Sequence, residues 1–254
     1  MIKEDIRYED GCVFEGMTSV SAVINSKNSD RKILKVYYDA EREKKLGKAL
    51  SYLSHRADEL GFDLIKTDGE TLDGMTVGSS HGGVAALCTG RTVPVITAED
   101  IAENGFYVYI EGIEDPYNFG YALRSLYAAG ADAVILPERN WMSAAGVVCR
   151  SSAGASELMK LFTASPDLPG LFKSRNYKIY CADTENAVSV YDAECKKPLL
   201  LVIGGEKRGI TKAMLDSADA IVRIDYGRDF PAALSAASAA AVLGFEIMRK
   251  NRKK

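Results

Sequence analysis

One arginine stands in a predicted helix whose other residues are mostly apolar, and its neighbours suggest that it takes part in chemistry. An Asp-Pro pair precedes Asn118, Gly120 and Arg124. Helical side chains lean toward the helix N-terminus, so the Arg124 guanidinium is expected to lie over Gly120, close to Asn118 at the expected N-cap position. This places a permanent cation in the crevice at the end of the preceding strand. An ion pair with Asp115 or Glu114 is the alternative, structural role.

A second group of residues follows the apolar run that precedes Gly204. Gly204, Gly205, Glu206 and Gly209 form a glycine-rich stretch. Glycines after a buried strand let the backbone approach a ligand closely. Two common phosphate-binding patterns are excluded here, because the P-loop pattern requires lysine at Ile210 and the dinucleotide pattern requires glycine at Glu206.

A third group is a helix rich in small residues, predicted over residues 232–250. Its many Ala, Ser and Gly residues permit unusually close backbone contact, either with another helix or with a ligand. A tight helix–helix contact is the expected role of most of them.

The elements that position these groups alternate between strand and helix. The predicted strands are residues 106–110, 133–136, 178–182, 199–203 and 220–224. The predicted helices are residues 118–129, 211–217 and 232–250, and residues 143–150 form a short helical or loop segment. Such alternation, with nearly continuous apolar strands, predicts a parallel sheet covered on both faces. Ligands bind beyond the carboxyl ends of the strands in such sheets, where the unusual residues cluster.

The first ninety residues show a separate, compact α/β pattern. Helices are predicted at residues 15–24 and 43–61, and strands at residues 33–38, 62–66 and 83–87. The hydrophobic pattern weakens near Pro94, which indicates a linker. The predicted organisation is therefore a small α/β domain at residues 1–90, a linker at 91–104 and a second domain at 105–254.

Composition excludes several classes of protein. The 254 residues are 47% hydrophobic, enough for one large domain or two small ones, and contain no apolar run of membrane-spanning length. Together with the charged N-terminus, this predicts a soluble, cytoplasmic protein without a membrane partner. Five widely spaced cysteines and two histidines match no metal-binding pattern, so buried thiols and no metal site are expected. The net charge of -3 argues against a globally basic nucleic-acid coat, although residues 249–254 form a local basic patch or a solvated helix end.

Taken together, the three groups resemble the ordered motifs of the SpoU (TrmH-like) RNA ribose methyltransferases, a family of the SPOUT class. The matching stretches are Asn118-x-Gly120-x-x-x-Arg124 with residues 129–131, residues 150–155, Gly204-x-Glu206-x-x-Gly209, and Ile224 and Leu234 before the last helix. The N-terminal part, with His81-Gly82-Gly83 near its end, resembles the small RNA-binding domain that precedes many of these catalytic domains. The resemblance covers nearly the whole chain.

The resemblance implies methyl transfer from S-adenosylmethionine to a ribose 2′-hydroxyl of tRNA or rRNA. It also implies a parallel-sheet SPOUT domain with a C-terminal trefoil knot, and a homodimer. Arg124 and Asn118 match the family's catalytic positions. The matching cofactor-binding positions are Gly204, Gly205, Glu206, Gly209, Ile224 and Leu234. Because a guanidinium stays charged, we expect Arg124 to bind an RNA phosphate and to stabilise the developing alkoxide rather than to act as a base.

The sequence departs from the family pattern at two places near the cofactor. The usual Ser-Leu-Asn-x-Ser is Ala-Leu-Ser-Ala-Ala at residues 233–237, so Ser235 takes the position of a catalytic Asn. The usual Ile-Pro is Ile-Asp, so Asp225 brings a carboxylate near the pocket. Cofactor binding tolerates such changes where it relies on backbone groups, and the departures bear on efficiency or acceptor choice. Two alternatives remain open: an inactive RNA-binding protein with this fold, and an unrelated nucleotide-binding α/β enzyme.

Overall fold

The computed structural model describes residues 11–77, 80–138, 144–205 and 207–252. The chain divides into two units, of which the first comprises Met1–Thr92 and Asn140–Leu158, and the second comprises Val93–Arg139 and Met159–Lys254. The described residues 144–158 group with the first unit and not with the remainder of the predicted domain at residues 105–254. The assignment of RNA binding to one part of the chain and catalysis to the other stays a prediction.

The first unit contains one four-stranded sheet. Its strands are β1 (Gly11–Glu15), β2 (Ile33–Asp39), β3 (Asp63–Thr67) and β4 (Val84–Thr89), in the order β1-β4-β2-β3. Its helices, numbered along the whole chain, are α1 (Gly16–Asn25), α2 (Glu43–Leu60), α3 (Gly69–Met75), α5 (Ala145–Ser151) and α6 (Ala155–Leu158). β4 pairs antiparallel with β1 and β2, whereas β2 pairs parallel with β3. The sequence did not predict β1 or α3; α1 follows β1 without a loop because Gly16 turns the chain at φ +80°.

A buried ion pair holds residues 144–158 within the first unit. Nε of Arg31 lies 3.2 Å from Oε2 of Glu157, and the two side chains are only 5% and 3% exposed. Gly146 of α5 approaches the carbonyl oxygen of Val13 in β1 so closely that a side chain at this position would collide with it. These contacts join residues that are far apart in sequence, which explains why periodicity did not reveal them.

The second unit is built on a seven-stranded sheet in which all neighbouring strands are parallel. The strands are β5 (Phe106–Ile110), β6 (Ala133–Leu136), β7 (Leu161–Thr163), β8 (Lys178–Ala182), β9 (Val188–Ser189), β10 (Leu199–Ile203) and β11 (Ala220–Arg223), in the order β7-β6-β5-β10-β8-β11-β9. The helices are α4 (Pro116–Ala128), α7 (Leu168–Ser174), α8 (Lys212–Asp216) and α9 (Ala236–Asn251). β5 and β10 are buried at every residue, as expected for strands covered on both faces. The predicted parallel α/β sheet is confirmed.

Two predicted helix starts are wrong. α4 begins at Pro116, and the Asp115 carboxylate caps it by accepting the backbone N–H of Asn118 at 2.8 Å, so Asn118 is not the N-cap residue. An Asp-Pro pair is a strong start signal, because the carboxylate accepts an N–H that the helix leaves unpaired and proline has none to pair. α9 begins at Ala236 rather than four residues earlier, and Ser235 is its N-cap.

α4 and α9 pack closely against each other. Gly120 and Leu123 of α4 are buried, as are Ala240 and Gly244 of α9. A Cβ on Gly244 would lie 3.2 Å from a side-chain carbon of Leu126 in α4, so only glycine permits this approach without adjustment. The expected helix–helix role of the small residues in α9 is confirmed.

All five cysteines are buried and free. Burial raises the pKa of the Cys149 and Cys181 thiols to about 12, so both are neutral at physiological pH. Within the described residues, no group of His, Cys, Asp or Glu side chains is arranged to hold a metal ion. None of the helices in this part of the chain has the length and apolar character needed to cross a membrane.

Candidate functional site

A cavity of about 910 Å³ lies at the carboxyl ends of β8, β10 and β11. Its walls are residues 182–184, 203–205, 209, 222–226 and 228–236, together with Ala239 and Leu243 of α9. Most of these residues belong to the loops that follow parallel strands, which is where such sheets bind ligands. The volume lies within the range of cofactor pockets, roughly 300–1,000 Å³.

The cavity brings together most of the residues predicted to bind the cofactor. Those that line it are Gly204, Gly205, Gly209, Ile224 and Leu234. Ser235, predicted for the catalytic site, also lines the cavity. Glu206 lies outside the described residues. Residues that are distant in sequence therefore line the same cavity. The role of each of them in ligand binding stays a prediction.

The glycine-rich loop after β10 folds back on itself. The backbone N–H of Gly205 donates to the carbonyl oxygen of Gly209 at 3.2 Å, and the N–H of Gly209 donates to that of Gly205 at 3.0 Å. Gly209 has φ +63°, a conformation that favours glycine. A Cβ on Gly204 would lie 2.5 Å from the carbonyl carbon of Gly209. The sequence predicted that these glycines let a ligand approach the backbone closely. In the structure, they let two parts of the loop's own backbone approach each other.

Ser235 has a structural role that the sequence did not reveal. Its Oγ accepts the backbone N–H of Ser238 at 3.2 Å and so caps α9. Serine is among the residues that prefer this position, because its short hydroxyl reaches the N–H groups at the helix start. The departure from the family's Asn therefore keeps a polar group at the cavity wall and fixes the start of α9.

The negative charge of Asp225 is paired with the cation of a neighbouring arginine. Its Oδ1 accepts Nε of Arg223 at 2.9 Å. A hydrogen bond from the Ser189 hydroxyl, together with Arg223, holds the pKa of this carboxyl below its usual range. The carboxylate that replaces the family's proline is therefore ionised and paired at the cavity rim.

Arg124 and Asn118 do not line the cavity of their own chain. Arg124 is exposed on α4, and its expected position over Gly120 stays a prediction. Within the described part of the chain Arg124 forms no ion pair, and Glu114 instead pairs with Lys207 at 2.6 Å. The alternative of an ion pair between Arg124 and Glu114 or Asp115 is therefore not found, and the cation on α4 is available to a ligand.

Several cavity residues were not singled out from the sequence. They are Asp183, Thr184, Tyr226, Arg228 and Phe230. The first two follow β8 and the others follow β11, so the rule that ligands bind beyond the carboxyl ends of parallel strands would have found them without any motif.

Comparison with known proteins identifies relatives over the whole chain. The model of the SpoU rRNA Methylase family matches residues 105–245. The chain is 25% identical over 260 residues to the 23S rRNA (guanosine-2′-O-)-methyltransferase RlmB of Shewanella oneidensis, covering 99% of this chain and 100% of that one. It is 30% identical over 178 residues to a putative TrmH family tRNA/rRNA methyltransferase of Staphylococcus haemolyticus, covering 67% and 71%.

Solved structures share the fold. The AdoMet-bound rRNA methyltransferase from Sinorhizobium meliloti matches with a TM-score of 0.78 at 19% identity, over 95% of this chain and 88% of that one. The SpoU methyltransferase AviRb from Streptomyces viridochromogenes, in complex with AdoMet, matches with a TM-score of 0.75 at 20% identity, over 95% and 91%. The predicted fold class and family resemblance are confirmed. Because the family model covers more than half of the residues, including α4 and the walls of the cavity, the chain belongs to the SpoU rRNA methylase family.

Proposed function

We propose that this protein transfers the methyl group of S-adenosylmethionine to a ribose 2′-hydroxyl of ribosomal RNA. The observation that carries the proposal is the cavity at the ends of β8, β10 and β11, whose walls contain Gly204, Ile224 and Leu234, three of the residues predicted to bind the cofactor. The sequence-based prediction of an S-adenosylmethionine-dependent RNA 2′-O-methyltransferase is confirmed by the family. The name of the relative RlmB supports rRNA, among the RNAs predicted from the sequence, as the substrate.

The cavity suits S-adenosylmethionine in size and in chemistry. Ile203, Leu234 and Leu243 supply an apolar wall for an adenine ring, and Asp183 supplies a carboxylate for hydroxyl or ammonium groups. The backbone at Gly204 supplies further donors and acceptors. When bound, the cofactor supplies an electrophilic methyl group on a sulfonium. The trefoil knot that the family resemblance implies remains part of the prediction.

The contribution of the chain to methyl transfer is chiefly positioning and charge. In the transfer, the ribose 2′-oxygen would form a bond to the methyl carbon while the bond from that carbon to the sulfonium sulfur breaks, leaving S-adenosylhomocysteine, and the hydroxyl proton would pass to water. Negative charge would therefore develop on the oxygen as its proton leaves. The exposed guanidinium of Arg124 suits an RNA phosphate or this developing charge. Asn118, on the same helix, is proposed to assist in placing the ribose. Ser235, at the cavity wall, is the proposed replacement for the family's Asn.

We further propose that the protein works as a homodimer. Tyr117, Tyr121 and Tyr127 of α4 are exposed, and Arg124 lies among them. Phe245 of the neighbouring α9 is also exposed. A face with several exposed aromatic rings is typical of an interface, and a symmetric dimer is the commonest way to cover it. Since Arg124 does not line its own cavity, we propose that it serves the cavity of the second chain.

RNA binding by the first unit is supported by its surface charges. Lys44, Lys45 and Lys48 of α2 are all exposed and lie within about one helical turn of one another. Lysine ammonium groups bind backbone phosphates without reading sequence. We therefore propose that α2 contributes to holding the RNA, in agreement with the predicted RNA-binding role of the N-terminal domain.

Two measurements test the proposed function. Calorimetric titration with S-adenosylmethionine and S-adenosylhomocysteine should give about one site per chain, and deletion of the gene should remove a 2′-O-methylated ribose from rRNA. Cofactor binding without any lost methylation would instead support an inactive RNA-binding protein. Failure to bind either compound, combined with stabilisation by another nucleotide, would support an unrelated nucleotide-binding enzyme.

A further inference from the structure

Two exposed aromatic rings stand at the mouth of the cavity, in the loop between β11 and α9. Phe230 is 55% exposed and Tyr226 is 40% exposed, and both line the cavity. Their ring centroids lie 6.3 Å apart with an angle of 47° between the ring planes. Because the rings are tilted, neither covers the face of the other. Exposed apolar surface beside a ligand cavity indicates a partner that covers it.

One ring of this aromatic pair is hydrogen-bonded to the cavity wall. The Tyr226 hydroxyl accepts the backbone N–H of Leu234 at 3.1 Å, which ties its ring to a residue at a predicted cofactor position. Tyr226 in turn contacts Phe230. Phe230 therefore lies against a ring that is itself hydrogen-bonded to the cavity wall.

A cation lies in the same loop as the two rings. Arg228 is exposed, lines the cavity and forms no ion pair or hydrogen bond within the described part of the chain. Arg223, which also lines the cavity, already has partners within the chain. It pairs with Asp225 at 2.9 Å and donates a hydrogen bond to the carbonyl oxygen of Ala187. An exposed aromatic ring and a guanidinium without an ion pair, in one loop at a cavity, are the combination that proteins use for a single-stranded nucleotide. The ring stacks on the base and the cation binds the phosphate.

We propose that Phe230 stacks on the base of the RNA nucleotide to be methylated and that Arg228 binds a neighbouring phosphate. The loop then holds the acceptor ribose at the mouth of the cofactor cavity. This inference rests on the proposed methyltransferase function and adds the residues that select an unpaired acceptor nucleotide. The base is the favoured partner, rather than the adenine of the cofactor, because a bound cofactor is mostly enclosed whereas Phe230 is 55% exposed.

Steady-state methyl transfer tests this proposal. The substrate is total ribosomal RNA from a strain that lacks the gene, with radiolabelled S-adenosylmethionine as the donor. Loss of one base–aromatic stack should raise KM for RNA by about 5- to 150-fold in Phe230→Ala. Phe230→Trp should retain the wild-type KM, because it keeps a stacking ring. Calorimetric affinity for S-adenosylmethionine should be unchanged in both variants.

The matched control is Tyr191→Ala, since Tyr191 has a comparable exposure of 46% but does not line the cavity. An unchanged KM for RNA in Phe230→Ala would overturn the proposal. So would a parallel loss of S-adenosylmethionine affinity, because the ring would then belong to the cofactor site.

A binding measurement separates this proposal from the proposed function. A fluorescently labelled single-stranded RNA should bind wild type more tightly than the same strand carrying abasic sites, and Phe230→Ala should remove that difference. If wild type shows the difference but methylates no rRNA, the proposed function fails while the stacking role of Phe230 stands. If wild type methylates rRNA but shows no preference for intact bases, the stacking role fails and the function stands.

Discussion

Replacement of Gly204 by alanine tests whether the tight turn after β10 shapes the cofactor cavity. A Cβ at this position would lie 2.5 Å from the carbonyl carbon of Gly209 and 2.8 Å from the backbone nitrogen of Ile210. Ordinary contacts of a Cβ begin near 3.4 Å, so the turn must open by about 1 Å. Because both neighbours are backbone atoms, no flexible side chain can move aside to make room.

Two effects of Gly204→Ala are expected from this displacement. Overpacking of this kind costs about 1–3 kcal/mol, which should lower the urea midpoint of unfolding. A shift of about 1 Å in a group that positions reactants lowers turnover by about 100-fold, so methyl transfer should fall by this order. Calorimetry should also show weaker binding of S-adenosylmethionine, since the displaced turn is part of the cavity wall.

The matched control is Gly227→Ala, in the loop that follows β11. A Cβ on Gly227 would meet no atom within 4 Å, so this variant should keep the stability and the cofactor affinity of wild type. The reasoning is refuted if Gly204→Ala binds S-adenosylmethionine as tightly as Gly227→Ala does, because the turn would then not determine the shape of the cavity.

Three further predictions concern the proposed catalytic cation and two ion pairs. Arg124→Ala should abolish methyl transfer to rRNA while calorimetric affinity for S-adenosylmethionine stays unchanged; wild-type turnover would contradict the proposed role. Glu157→Gln should lower the free energy of unfolding by about 3–5 kcal/mol in urea titrations, because it leaves a buried guanidinium unpaired, whereas the same change at the exposed Glu59 should have little effect. A hydrogen bond from Arg249 holds the pKa of Glu246 below its ordinary value of 4.5, so the stabilisation is present at neutral pH and is lost as the pH falls through the lowered pKa. The difference in urea midpoint between Glu246→Gln and wild type should therefore be present at pH 7 and disappear well below pH 4.5.

The sheet of the second unit could largely be predicted from the sequence. β5, β6, β8 and β10 have the predicted bounds, because mostly buried parallel strands form nearly continuous apolar runs. β7 and β9 were not predicted, since three and two residues are too few to show a period. Such short strands form only because a neighbouring strand supplies their hydrogen-bond partners.

The family motifs predicted part of the candidate site. The glycine-rich loop and Leu234 were found in this way, and they line the cavity. The apolar residues around Arg124 did not predict that it is exposed. Helical periodicity does not show whether another part of the protein packs against a helix face that carries tyrosines. Phe230 and Arg228 lie in a loop without a recognised motif. Their significance depends on the three-dimensional position of that loop beside the cavity.

The ion pair between Arg31 and Glu157 also limits how the chain can be divided in evolution. Its two residues are 126 positions apart, and Glu157 lies inside the segment that the family model assigns to the methylase. A chain that began at Val93 would keep residues 140–158 but lose both Arg31 and β1, leaving a buried carboxylate and one face of α5 without partners. Residues 1–92 alone would likewise expose the edge of β1. The N-terminal unit is therefore not a detachable module: a recombination that exchanged it would also have to exchange matching residues within the methylase sequence.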